Sequence, residues 1–150
     1  MTFIRSIAIA LTAVFALAFI AHAKTEEPTR IAIHVDDNDP KRMNMALNNA
    51  ANVQKYYDSI DEEVETRIVA YGPGLHMLRA DTSPVADRIA TMSLELSNLT
   101  FAACGNTHAA MSEKSQKTVE LLDEAEMVIS GVVELVELQK DGWALSLIHI

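Results

Sequence analysis

Five short apolar runs are the feature of this chain that most restricts its fold. The segments between them carry apolar residues at helical spacing, so strands and helices are expected to alternate along the chain. Such alternation is typical of an α/β three-layer sandwich with a mostly parallel sheet of about five strands. The predicted strands are residues 31–35, 64–71, 99–103, 126–129 and 143–150.

The predicted helices fill the gaps between these strands. Apolar residues one turn apart predict an amphipathic helix over 43–58, and Ser83-Pro84 is a typical helix start. Ser130-Gly131 and Asp141-Gly142 bound another helix. Shorter helical segments are predicted at about 75–78, 107–115 and 119–125.

Three asparagines, Asn44, Asn48 and Asn52, recur one turn apart on the polar side of the helix predicted over 43–58. Asparagine is a poor helix former, so such a stripe is unusual. Two interpretations are open, a solvated face and a subunit contact made by amide hydrogen bonds.

The first 23 residues have the pattern of a secretory signal peptide. Arg5 provides the positive charge, residues 6–20 form the apolar region, and Ala21-His-Ala23 is a small-x-small cleavage site. An uncleaved membrane anchor is the alternative, but the apolar run is short for a membrane span. We therefore expect cleavage after Ala23, a periplasmic protein consisting of one domain over 24–150, and no membrane association after cleavage.

The acidic balance of the chain excludes one class of partner. The formal net charge is −9, and removal of Arg5 with the signal peptide makes it −10. Such a surface repels nucleic acid phosphates. Nucleic acid is therefore not an expected partner.

Cys104 is the only cysteine, and it follows a predicted strand at the point where a helix is about to begin. Unpaired N–H groups at a helix start stabilise a thiolate, which is the nucleophilic form of the side chain. Gly105 would let a substrate approach the sulfur, and Asn106 or Thr107 would cap the helix. The alternative interpretation is a small buried side chain, since free cysteines are among the most buried residues.

His108 lies one helical turn after Cys104 and could lower the pKa of the thiol or accept its proton. With His34 and His76 it also permits an alternative mixed nitrogen/sulfur metal site around Cys104. The spacing of these residues fits no common metal motif, so neither a metal nor a cofactor is predicted.

Several segments together resemble the DsrE/DsrF-like family, most closely its small exported branch. They are Arg30-Ile-Ala-Ile-His-Val-Asp36, residues 46–52, Arg67-Ile-Val-Ala-Tyr-Gly-Pro-Gly74, Leu99-Thr-Phe-Ala-Ala-Cys104 and residues 131–142. The resemblance implies a DsrE-type fold that assembles into homotrimers or homohexamers. It also implies that Cys104 matches the cysteine that receives sulfur as a persulfide in the sulfur-trafficking members.

The leading hypothesis is thus an exported sulfur-handling protein, a sulfur carrier or sulfurtransferase, with a persulfide on Cys104. Its partners would be copies of itself and a donor or acceptor that is either a protein or a small sulfur compound. A non-catalytic oligomeric binding module with a structural cysteine is the second hypothesis. A metal-binding protein that uses Cys104 with His76 or His108 is the third.

Overall fold

A computed structural model describes residues 27–147. The predicted signal peptide and the last three residues of the predicted final strand lie outside this range. Five strands form one parallel sheet in the order β4-β3-β2-β1-β5, which confirms the predicted α/β class. The strands are β1 (Thr29–Val35), β2 (Val64–Ala70), β3 (Leu99–Cys104), β4 (Ala125–Val128) and β5 (Ala144–Leu147).

Helices cover both faces of the sheet, as expected for parallel strands. One face packs against three α-helices and a 3-10 helix, and the opposite face packs against a single α-helix. The first set comprises α1 (Pro40–Asp58), the 3-10 helix (Gly72–Leu78), α2 (Ala86–Glu95) and α3 (Gly105–Ser115), and the helix on the opposite face is α4 (Gly131–Lys140).

The two faces differ in their cores. The larger core contains Ile33, Ile68 and Phe101 from the three central strands, together with the buried stripe of α1. The smaller core, under α4, is built around Ala32, Val69, Ala102 and Leu135. Since alternate residues of a strand point to opposite faces, Cys104 points to the α4 side and Ala103 to the larger core.

The asparagine stripe of α1 has a third explanation that the sequence did not suggest. Arg88 of α2 donates to Asn44 Oδ1 at 2.9 Å and to Asn48 Oδ1 at 2.6 Å. Two of the three asparagines therefore join α1 to α2 within one chain.

The helix predicted over 119–125 is wrong. Arg79 and Leu121 form an antiparallel bridge instead, and the Leu122 N–H donates to the Leu78 carbonyl at 2.9 Å. Leu121 and Leu122 pack against the larger core. Tertiary pairing with the end of the 3-10 helix overrides the local helical pattern of this segment.

The register of the sheet brings three residues together at its carboxyl edge. Val35 pairs with Ala70, and Ala70 pairs with Ala103. The next residues along these strands, Asp36, Tyr71 and Cys104, therefore lie side by side. Among residues 27–147 no helix is long and apolar enough to cross a membrane.

Candidate functional site

Cys104 occupies the junction between β3 and α3. It is the last residue of the strand and the residue that precedes the first turn of the helix, with an extended backbone at φ −66° and ψ 114°. The residue is 4 % exposed. The fold thus holds the sulfur just beneath the surface, at the carboxyl edge where ligands of open α/β sheets usually bind.

Four hydrogen-bond donors surround this sulfur. Burial raises the pKa of the Cys104 thiol, but hydrogen bonds from the Thr107 hydroxyl and from the backbone N–H groups of Gly131, Thr107 and Asn106 outweigh burial and lower the pKa overall. The donors come from the first turns of two helices, α3 and α4. Both helix starts carry partial positive charge, so the site is built to hold an anionic sulfur.

The Thr107 hydroxyl is oriented by a residue from another part of the chain. The Gly72 N–H, at the start of the 3-10 helix, donates to Thr107 Oγ1 at 2.9 Å. The oxygen is thereby occupied as an acceptor, which leaves the hydroxyl proton for the sulfur. Gly72 has φ +51°, a left-handed conformation that favours glycine.

Gly131 allows α4 to begin close to the thiol. A Cβ atom at this position would lie 2.8 Å from the Tyr71 Cβ, so a larger residue would displace the start of the helix. Gly105 has a similar role, because a Cβ atom there would lie 2.8 Å from the Val128 carbonyl oxygen. The structure therefore gives Gly105 a packing function beside the predicted one of substrate access.

The remaining predicted supporting residues are placed differently. The expected cap by the side chain of Asn106 or Thr107 is wrong, because α3 already begins at Gly105 and Cys104 precedes it. The Asn106 N–H also donates to the Ile129 carbonyl at 3.2 Å. His108 Nε2 is 2.8 Å from the Val119 carbonyl oxygen, and the ring is not among the groups that lower the pKa of Cys104.

A second group of polar side chains lies on the other side of Gly131. His34 Nε2 is 3.5 Å from Asp36 Oδ1, and the His34 and Tyr71 ring centroids are 5.6 Å apart. Burial, and then the charge of Asp36, raise the pKa of Tyr71. The sequence could have pointed to Tyr71 through its position, directly after β2 at the carboxyl edge.

The alternative metal site gains no support from the geometry. His76 Nδ1 is 2.8 Å from Thr82 Oγ1, and burial followed by the charge of Arg79 lowers its pKa. Within the described range, His, Cys, Asp and Glu form no group of three or more that could hold a metal ion.

Comparison with known proteins identifies the family to which this fold belongs. The model of the DsrE/DsrF-like family matches residues 30–146. The chain belongs to the DsrE/DsrF-like family. A solved structure, the protein of unknown function MTH1491 from Methanobacterium thermoautotrophicum, is 28 % identical with a TM-score of 0.68. The match covers 79 % of this chain and 98 % of that one, and no curated protein matches.

In this DsrE/DsrF-like protein, the residues that contact the sulfur come from two separate parts of the chain, and Gly72 from a third part contacts Thr107. Thr107 and Asn106 are close to Cys104 in sequence and were predicted as part of the site. Gly131, and Gly72, which donates to Thr107, were not predicted as part of the site. Both act through backbone N–H groups, which every residue except proline has, so residue type could not reveal them.

Proposed function

We propose that this DsrE/DsrF-like protein is an exported sulfur-handling protein that carries sulfane sulfur as a persulfide on Cys104. The main support for this proposal is that hydrogen-bond donors from α3 and α4 converge on the Cys104 sulfur. Such donors favour the thiolate, which is the form that attacks a sulfur donor and the form that leaves when sulfur is handed on.

The chemistry is two displacements at sulfur. In loading, the Cys104 thiolate attacks the outer sulfur of a donor persulfide, R–S–SH. The donor S–S bond breaks, R–S⁻ leaves with the electron pair, and Cys104 becomes Cys–S–SH. In delivery, an acceptor thiolate attacks the outer sulfur, becomes R′–S–SH, and Cys104 leaves as its thiolate. No external oxidant or reductant is needed, and the same site serves a carrier or a sulfurtransferase.

The proposal also includes the partners of this protein, which are further copies of the chain and a sulfur donor or acceptor. α4 carries Val132, Val133 and Val136 on its outer side at 55 %, 55 % and 44 % exposure. Exposed apolar residues in such a cluster favour a protein contact, and we assign them to self-association in a homotrimer or homohexamer. The donor and acceptor are a partner protein or a small sulfur compound, in the periplasm to which the predicted signal peptide would direct the chain.

Mass spectrometry of the intact protein after incubation with a small sulfane-sulfur donor tests the proposal. We expect one added sulfur atom, located on Cys104 and removed by dithiothreitol. The Cys104→Ser variant is the matched control and should stay unmodified. A wild-type protein that alkylates readily with iodoacetamide but takes up no sulfur would contradict the proposal.

The near-complete burial of Cys104 favours a second candidate, a binding module in which the cysteine is structural. This candidate requires a thiol that alkylates slowly in the folded protein, with a pKa at or above that of a free cysteine. Thiol titration therefore separates the two candidates.

A further inference from the structure

A groove of about 540 Å³ opens on the α4 side of the sheet. Its residues come from the beginnings of β1, β2, β3 and β5 and include Glu134 and Leu138 of α4, so it lies at the amino edge, opposite Cys104. Its volume is within the range of small-molecule sites. Nothing in the proposed sulfur chemistry uses this groove.

Arg67 forms the floor of the groove, and its charge is already neutralised. Its Nε donates to Glu134 Oε1 at 2.7 Å and its Nη1 donates to Glu126 Oε2 at 2.8 Å. The Arg67 side chain is 12 % exposed. An anionic ligand would have to compete with two carboxylates for this one guanidinium.

The rim of the groove is negative. Glu63 directly precedes β2, Glu65 is the second residue of this strand, and both line the opening. Within residues 27–147 neither carboxylate has an ion-pair partner. The groove therefore carries more negative than positive charge even after the pairs of Arg67 are counted.

Trp143 provides a wall of a different chemical kind. Its indole lines the groove together with Leu138, which gives an apolar surface next to the two free carboxylates. The ring already attracts a cation within the chain, since the Arg30 guanidinium carbon is 6.0 Å from the ring centroid. An aromatic face beside carboxylates is an arrangement that binds organic cations.

We propose that this groove, bounded by Trp143, Leu138, Glu63 and Glu65, is a second ligand site that takes a small organic cation. The ammonium or guanidinium group of the ligand contacts the two glutamates, and its apolar part packs on the indole and on Leu138. This site is independent of the proposed sulfur chemistry, because it requires no reaction at Cys104.

The chain contains one tryptophan, so fluorescence excited at the indole band reports on this groove alone. The probe is phenethylamine, which combines an ammonium group with an aryl group. We expect a saturable change in Trp143 emission with phenethylamine. The matched anion, 3-phenylpropionate, should give no saturable change at the same concentrations.

Two variants assign the response to the groove. Glu65→Gln should weaken phenethylamine binding about threefold to fivefold, the size expected for one exposed charge pair. Glu62→Gln, a change in a neighbouring glutamate that does not line the groove, should leave the affinity unchanged. Circular dichroism checks that both variants are folded, and Glu63→Gln repeats the test at the second carboxylate.

Three results of the titrations with ligands and variants would overturn the proposal of this second site. They are no saturable response to phenethylamine, an equal response to 3-phenylpropionate, and equal effects of Glu62→Gln and Glu65→Gln. Emission that depends on protein concentration but not on the amine would show that another copy of the chain covers the groove, and it would overturn the proposal as well.

Discussion

The two edges of the sheet are built in opposite ways, although the same helix, α4, contributes to both. At the carboxyl edge, its first N–H group joins those of α3 around the Cys104 sulfur. At the amino edge, its Glu134 side chain holds Arg67 under an open groove lined by charged and aromatic side chains. The first site is made mostly of backbone donors, with the Thr107 hydroxyl as the side-chain donor among them, and the other is made of side chains.

This difference shows what each site depends on. Backbone donors are placed by the positions of whole helices, so the thiol site should be sensitive to changes that move α3 or α4. A side-chain site can lose one member while the backbone stays in place. Changes at the amino edge should therefore leave the thiol unaffected.

The largest effect is expected from Gly131→Ala, because the new methyl group would lie 2.8 Å from the Tyr71 Cβ. Overpacking of this kind lowers the free energy of unfolding by about 2 kcal/mol. The pKa of Cys104 should also rise, since the N–H of residue 131 moves away from the sulfur. Urea unfolding and thiol titration measure the two effects.

Ser130→Ala is the control for this change, because the Ser130 side chain makes no capping hydrogen bond. It should change the free energy of unfolding by less than about 0.5 kcal/mol. If Gly131→Ala proves as stable as the wild type, with the same thiol pKa, then α4 does not hold the sulfur as described.

Arg67→Met tests the amino edge. It removes charge-assisted hydrogen bonds to Glu134 and Glu126 and should lower the free energy of unfolding by about 1.5 kcal/mol. The pKa of Cys104 should not change. Lys140→Met, which removes an exposed pair with Glu137, should have little effect on stability. A shift of the thiol pKa in Arg67→Met would show that the two edges are coupled.

Thr107→Val removes the hydroxyl donor but keeps the shape of the side chain. The pKa of Cys104 should rise because the thiolate loses one hydrogen bond. Alkylation by iodoacetamide at neutral pH should slow about threefold to tenfold, the range of one ordinary hydrogen bond. Thr107→Ser keeps the hydroxyl and should restore most of the rate. Equal rates in the two variants would mean that the hydroxyl does not contact the sulfur.

The smallest effect is a pH dependence of stability. The fold lowers the pKa of Cys104. The thiolate's contribution to the free energy of unfolding is therefore fully present above the pKa of the unfolded thiol, and it is lost as the pH falls through the folded pKa. The wild type should therefore gain stability relative to Cys104→Ala as the pH rises from about 7 to about 9.5. Guanidinium unfolding with a reductant present measures this difference, and a constant difference would count against a stabilised thiolate.

The sheet could be predicted from the sequence because five apolar runs separated by helical patterns allow few other folds. The helix prediction for residues 119–125 was wrong because the pairing of this segment with residues 78–80 is a tertiary contact that a local pattern does not encode. The site was predicted only where Cys104 and its donors are neighbours in sequence. Gly72 and Gly131 are distant from Cys104 in sequence, and only the fold brings them to the site. They act through backbone N–H groups, which the sequence alone does not distinguish from those of other residues.

The pH dependence of Cys104 alkylation in the folded protein, compared with the same chain unfolded in guanidinium, measures directly whether the fold stabilises the thiolate. The donors from α3 and α4 predict a pKa for the folded thiol below that of the unfolded chain. The predicted result is a rate profile shifted to lower pH on folding, with the shift reduced in Gly131→Ala. A pKa of the folded thiol at or above that of the unfolded thiol would show that the fold does not stabilise a thiolate at Cys104.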